Sequence, residues 1–142
     1  MLDAMKELIK QQDLCVLATH TGERPYCSLM AYVANDEASE LYLATHRSTR
    51  KFRNLSDHPE VSVLIDTRTT EPRSTMRALT IEGRCSPIED EVTQQAVRTQ
   101  LLAKHPHLTD FVVHDDCALL CVTIRSLLLL NGLNEAHYAT LA

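Results

Sequence analysis

Thr45-His46-Arg47-Ser48-Thr49-Arg50-Lys51 places three hydroxyls and three cations within seven consecutive residues. That set suits a phosphate group. Arg can bind two of its oxygens at once, Lys acts as a point charge, and hydroxyls and free N–H groups at a helix start add donors. Charge-assisted hydrogen bonds contribute about 1.5–3 kcal/mol each, so two or three can anchor an anion. Arg53 adds a fourth cation two residues on, in a chain whose formal net charge is −5. The same cations also suit the solvated face of a short surface helix, balanced by Asp57 and Glu60. Composition alone leaves both readings open.

The elements around this stretch must position it. Leu41-Tyr42-Leu43-Ala44 precedes it, in a strand expected over Glu40 to Thr45. Ser48 or Thr49 can cap a helix running to about Asp57, with Phe52 and Leu55 facing inward, and His58-Pro59 ends it. Val61, Val63 and Ile65 alternate with Ser62, Leu64 and Asp66, as in a half-buried strand. Upstream, Leu2, Met5, Leu8 and Ile9 predict an amphipathic helix over 2–12. Strands are expected at Leu14 to Thr19 and Tyr26 to Ala34, joined by the turn Thr21-Gly22-Glu23-Arg24-Pro25. With Glu40 to Thr45 they form a natural antiparallel meander.

Downstream, 68–75 is a polar loop and Met76 to Ile88 a long strand, in which Gly83 suggests a bulge or a close backbone approach. Glu89-Asp90-Glu91 opens a third helix, with Val92, Ala96, Val97, Leu101 and Leu102 as its apolar stripe and Pro106 at its end. Ala118 to Leu130 is a strongly apolar strand. Asn131-Gly132 signals a tight hairpin into a last strand over Leu133 to Thr140. The fold class is mainly β (α+β): six to seven largely antiparallel strands closing a small barrel, with flanking helices.

At 142 residues, one domain spanning 1–142 is expected. The acidic balance argues against nucleic-acid binding, which needs a broad basic face. No apolar run approaches the ~18 residues of a membrane span, and the start lacks the basic-then-apolar order of a leader, so a cytoplasmic protein is the expectation. Cys15, Cys27, Cys85, Cys117 and Cys121 are dispersed and odd in number, as expected of reduced core thiols.

The order of elements, with the run Leu43 to Val63, resembles the pyridoxamine 5′-phosphate oxidase-like, FMN-binding split-barrel family. The family pattern is a strand ending in Thr, a short gap, Ser/Thr-Arg-Lys, a helix with Asn and Leu, an Asn/His-Pro turn and an apolar strand. Here Thr45, Thr49-Arg50-Lys51, Asn54-Leu55, His58-Pro59 and Val61-Ser62-Val63 supply it. The resemblance implies a split β-barrel and a homodimer holding two flavin mononucleotide (FMN) molecules in the subunit interface. It implies that Thr45, Thr49, Arg50 and Lys51 surround the FMN phosphate, with Ser48 nearby, and that Ser28, Leu29 and Met30 run along the flavin ring. Arg77 or His46 are candidates to polarise the flavin or a small-molecule redox substrate. No catalytic acid or base and no metal site is implied.

The chain departs from the vitamin B6 oxidases of that family. It has no Arg after residue 125, Arg77-Ala78 stands where those oxidases carry Arg–Gln, and Tyr26-Cys27-Ser28 lacks their early Arg. An oxidoreductase of another substrate is the expectation, with a non-catalytic flavin carrier or sensor and a deazaflavin protein as alternatives. The tail Leu130 to His137 is similar to a segment of haem-utilisation split-barrel proteins, which makes His137 a candidate haem or substrate contact, against the alternative of a polar edge-strand residue. Cys117 and Cys121 would lie ~13 Å apart on a strand, too far for one metal. His105-Pro106-His107 and His114-Asp115-Asp116 read as exposed connection polarity.

Overall fold

The computed structural model describes residues 1–141. Its elements are α1 (Leu2–Gln11), β1 (Leu14–His20), β2 (Pro25–Ala31), β3 (Val33–Ala34), β4 (Glu40–His46), α2 (Arg50–Asp57), β5 (Glu60–Asp66), β6 (Arg77–Pro87), α3 (Glu91–Lys104), α4 (Thr109–Val113), β7 (Cys117–Asn131) and β8 (Glu135–Thr140). The strands form one antiparallel sheet ordered β2-β1-β5-β6-β7-β4-β3, with β8 also paired to β7. The sheet curls into a split barrel, mainly β, with helices packed around it. Its core is a continuous set of inward residues: Leu17 pairs with Val63, Val63 with Ile81 and Ile81 with Leu127, all essentially buried. A smaller cluster holds α3 and α4 against the other face of β4 and β7 through Val97, Leu101, Val112, Ala44 and Leu119.

The expected three-strand meander does not form. The second strand ends at Ala31, and β4 pairs with β7 rather than with β2. Tyr32 is the cause. Its ring is fully buried, its hydroxyl donates to the Ile9 carbonyl (2.5 Å), and its N–H donates to the Asp13 carbonyl. The Tyr32 carbonyl meets His105 Nε2 at 2.9 Å. The N–H bond only continues the β1–β2 ladder by one residue past Leu14–Ala31, while α1 holds the hydroxyl and the cap of α3 takes the carbonyl that a continuous strand would give to a neighbour. The chain then crosses the sheet opening, so β2 and β3 become its two edges, and one expected strand becomes two.

Gly83 meets its expectation. The β6–β7 register shifts between Glu82 and Gly83, and a Cβ at Gly83 would lie 2.5 Å from the Thr123 carbonyl oxygen. The last turn is longer than a two-residue hairpin. Asn131 pairs with Glu135, leaving Gly132-Leu133-Asn134 as the loop, and Gly132 takes φ +63°. In α3 the expected stripe is only half right: Val97 and Leu101 are buried, whereas Val92 and Ala96 face solvent. Among the described residues the five cysteines are free thiols, with Cys15 and Cys85 in the core and Cys27 exposed. Burial pushes the Cys15 and Cys85 thiols up to about 12, so neither is a nucleophile near neutrality. No helix among these residues is long and apolar enough to cross a membrane.

Candidate functional site

The strand-to-helix passage from β4 into α2 is fixed by its own hydroxyls. Thr45, next to last in β4, is fully buried, and its Oγ1 lies 3.2 Å from Thr49 Oγ1. Thr49 is the cap of α2: its side-chain oxygen accepts the Phe52 N–H (3.3 Å), and its own hydroxyl donates to the His46 carbonyl (2.8 Å). The helix is held down by Leu55 and by Asn54, whose amide donates to Thr19 Oγ1 of β1 (3.2 Å) inside the protein. The Asn-Leu pair of the sequence pattern is therefore the anchor of α2.

That anchoring turns the first helical turn outward. Arg50 and Lys51 are the first two helical residues, so their N–H groups have no carbonyl four residues back within the helix. Arg50 is exposed and stands over the Tyr26 ring of β2, 4.7 Å from its centroid. Lys51 is half-buried and lines a hollow of about 260 Å³ together with Leu29, Met30, Ala44, Thr45 and Phe111. The hollow lies in the split between β2 and β4. None of Arg47, Arg50, Lys51 and Arg53 enters an ion pair among the described residues. Glu60, a candidate counter-charge, instead binds Arg84 and Arg125. The surface-helix reading therefore loses one of its two balancing acids.

The structure divides the remaining candidates. Met30 is nearly buried on the inward face of β2, and Leu29 is 71 % exposed on the outward face. Leu29 also borders a second hollow of about 330 Å³, lined by Leu14, Val16, Leu64, Asp66 and Arg68 on the outside of the sheet. Ser28 is half-buried, opposite Leu17. Arg77 is not near the β4–α2 corner. It pairs with Asn131 at one end of the 15-residue β7, whereas Thr45 pairs with Ala118 at the other. Its guanidinium is held by Glu71 (Nε to Oε1 3.1 Å).

His46 and Ser48 are committed to a segment that the sequence did not connect to them. The His46 ring stacks on Phe111 at 4.0 Å and 12° and lies 4.8 Å from His114. Its Nε2 sits 3.1 Å from the Phe111 carbonyl. Ser48 donates both its N–H (3.1 Å) and its hydroxyl (2.8 Å) to Asp116 Oδ2. Those two bonds, first the hydroxyl and then the amide, hold the Asp116 carboxyl below the usual carboxylate range. Arg47 donates to the carbonyls of Cys117 and Asp115. The connection 109–116 thus holds the short α4 and a latch rather than plain exposed polarity. The neighbouring His105 is buried and bonded to Tyr32, which corrects its reading as exposed.

The corner thus joins a strand, a capping Thr and a short helix on a split barrel, with Arg47, Arg50, Lys51 and Arg53 outside any ion pair among the described residues. A sequence model described as pyridoxamine 5′-phosphate oxidase matches residues 1–130. The chain belongs to this family. Among curated proteins none matches it significantly. Solved structures share the family fold at low identity. An FAD-binding protein from Mesorhizobium loti superposes with a TM-score of 0.74 at 16% identity, covering 89% of this chain and 91% of that one. A heme binding protein from Mycobacterium smegmatis gives 0.82 at 19%, covering 96% of this chain but 57% of its own longer chain. The heme storage protein HutZ from Vibrio cholerae gives 0.72 at 23%, with 87% and 89% covered.

Proposed function

We propose that this family member binds FMN in the split between β2 and β4 and serves as an FMN-dependent oxidoreductase acting on a small molecule other than pyridoxamine phosphate. The observation that carries this reading is the pair Arg50 and Lys51. They lie on the first turn of a capped helix, free of carboxylate partners, one lining the hollow and the other reaching across to β2. A phosphate there meets two cations and the free N–H groups of the helix start. The Thr45–Thr49 hydroxyl pair lies beneath it. When bound, the flavin supplies the electron transfer; the protein's part is to bind and orient it. Arg77, already neutralised by Glu71 and remote from the corner, does not serve the phosphate of its own protomer.

The hollow of about 260 Å³ is smaller than the ~300–1,000 Å³ typical of sites that enclose a whole organic ligand. A second copy of the chain completes it in this reading. A largely apolar row supports that: Leu29, Val16, Leu64, Thr80, Leu128 and Tyr138 follow one another in register across six strands on the outside of the sheet, the middle four half-buried. Leu29 and Tyr138 at its ends are 71 % and 66 % exposed. Exposed apolar rows of this extent mark interaction surfaces.

A haem-binding reading draws on the names of two structural neighbours and on His137. It is the weaker one here. The His137 Nε2 atom has no exposed surface and no hydrogen-bond partner, and it lies 3.7 Å from a Glu135 carboxylate oxygen. The absorbance spectrum of the protein as purified separates the readings. Yellow protein that releases FMN on denaturation supports the flavin. Colourless protein that does not retain added FMN, or a haem spectrum lost in His137→Ala, overturns it. Bound FMN without NAD(P)H consumption on any acceptor would reduce the protein to a flavin carrier or sensor.

A further inference from the structure

Asp116 binds Ser48, the residue just before the cap of α2, in a contact that the family pattern does not explain. One of its carboxylate oxygens receives two donors from Ser48, the N–H at 3.1 Å and the hydroxyl at 2.8 Å. Two donors converging on a single anionic oxygen is how a backbone corner holds one oxygen of a phosphate. Ser48 directly precedes the cap Thr49, and Arg50 and Lys51 follow. The charged and titratable groups around the Asp116 carboxylate include His46, Arg47, His114 and the Cys117 thiol. The two imidazoles lie 4.8 Å apart, the Arg47 guanidinium is engaged with the Cys117 carbonyl, and His114 Nδ1 accepts the Asp116 N–H.

The corner does not depend on this carboxylate for its shape. The Arg47 N–H donates to the Asp116 backbone carbonyl at 2.8 Å, and the Arg47 side chain binds the Cys117 carbonyl at 3.0 Å. His46 is stacked on Phe111, and Thr49 caps α2. Removing only the Asp116 carboxylate leaves each of these in place. What changes is that the two Ser48 donors, one residue before the cap of α2, become free and one negative charge is lost from the corner.

We propose that Asp116 is an internal anionic stand-in, which occupies the Ser48 donors until a phosphate-bearing ligand competes for them and so sets how strongly the corner selects for phosphate. The proposal rests on the phosphate-cradle reading above. It assigns Ser48 to Asp116 in the ligand-free state and leaves Thr49, Arg50 and Lys51 as the permanent cradle. It also makes the 109–116 connection responsive to occupancy, because a phosphate that takes the Ser48 donors releases Asp116.

The test is a titration of the full-length wild type, Asp116→Ala, Asp116→Asn and Asp116→Ala/Ser48→Ala with FMN and with riboflavin, which lacks the phosphate. Removing one charge and freeing two donors is expected to tighten FMN about three- to tenfold in Asp116→Ala, with riboflavin unchanged. Asp116→Asn keeps an oxygen acceptor for Ser48, maintains the corner if the alanine variant folds poorly, and is expected to show a smaller gain. At least half of the gain is expected to vanish in the double variant. Equal or weaker FMN binding by Asp116→Ala, or a gain that survives in full without the Ser48 hydroxyl, overturns the proposal. Failure of the wild type to bind FMN would sink the flavin reading alone. Inorganic phosphate then takes its place as probe, with a larger thermal upshift in Asp116→Ala expected and an equal response in both proteins contradicting the competition.

Discussion

The side chains at the β4–α2 corner divide by what they already hold. Thr49 has its hydroxyl on the His46 carbonyl and on the helix start, so Thr49→Ala removes a cap and is expected to lower stability by about 1 kcal/mol in urea unfolding. Arg50 and Lys51 hold no carboxylate, so Arg50→Ala is expected to leave stability within about 0.5 kcal/mol of wild type while weakening FMN roughly 10- to 100-fold. Gly83 acts through space rather than charge. A methyl group 2.5 Å from the Thr123 carbonyl forces the β6–β7 bulge apart, so Gly83→Ala is expected to cost upward of about 2 kcal/mol by the same unfolding assay. At this scale the sequence was informative where partners are near in the chain: the Thr, Arg and Lys types, the Asn-Leu anchor and the bulge glycine. It was silent on Asp116, which meets Ser48 across 68 residues, and on Phe111 beneath His46, because no local spacing encodes those encounters.

Among the elements, those with a strong period or a clear cap were legible and those shaped by tertiary competition were not. The helix expected to open at Glu89-Asp90-Glu91 begins at Glu91, with Asp90 as the cap. Its carboxylate accepts the Thr93 N–H at 2.8 Å and the Thr93 hydroxyl, and these bonds lower its pKa from the ordinary value. A carboxylate whose folded pKa is depressed stabilises the protein above its unfolded pKa, and that contribution is lost as pH falls through the folded value. Asp90→Ala is therefore expected to be less stable than wild type at neutral pH, with the gap closing in acid below the ordinary aspartate range; a gap independent of pH would refute the cap. The broken strand was not legible because Tyr32 reads as an ordinary strand residue until Ile9 of α1 takes its hydroxyl and His105 at the end of α3 takes its carbonyl. The helix α4 spans five residues, too short for any periodicity to announce it.

Across the whole molecule, an acidic chain concentrates unpaired cations at one corner of a split barrel and carries a largely apolar row on the outer face of the sheet that reaches the corner at Leu29. The barrel itself was readable from strand order. The pairing of β4 with β7 was not, since it depends on where the chain crosses the opening. If a second copy covers the row from Leu29 to Tyr138, sizing chromatography should give twice the 16.0 kDa chain mass, and Leu29→Glu combined with Tyr138→Glu should return the monomer and weaken flavin together with it. A wild-type monomer that binds FMN tightly would dispense with the shared site. The claim on which the rest depends is that the corner recognises a flavin phosphate, and the ratio of riboflavin to FMN dissociation constants reads it directly. The wild type is expected to favour FMN by about 100-fold or more, and Arg50→Ala/Lys51→Ala to bring the ratio within about threefold of unity, with riboflavin binding retained. Equal affinity of the wild type for the two flavins, or a preference that survives loss of both cations, would contradict it.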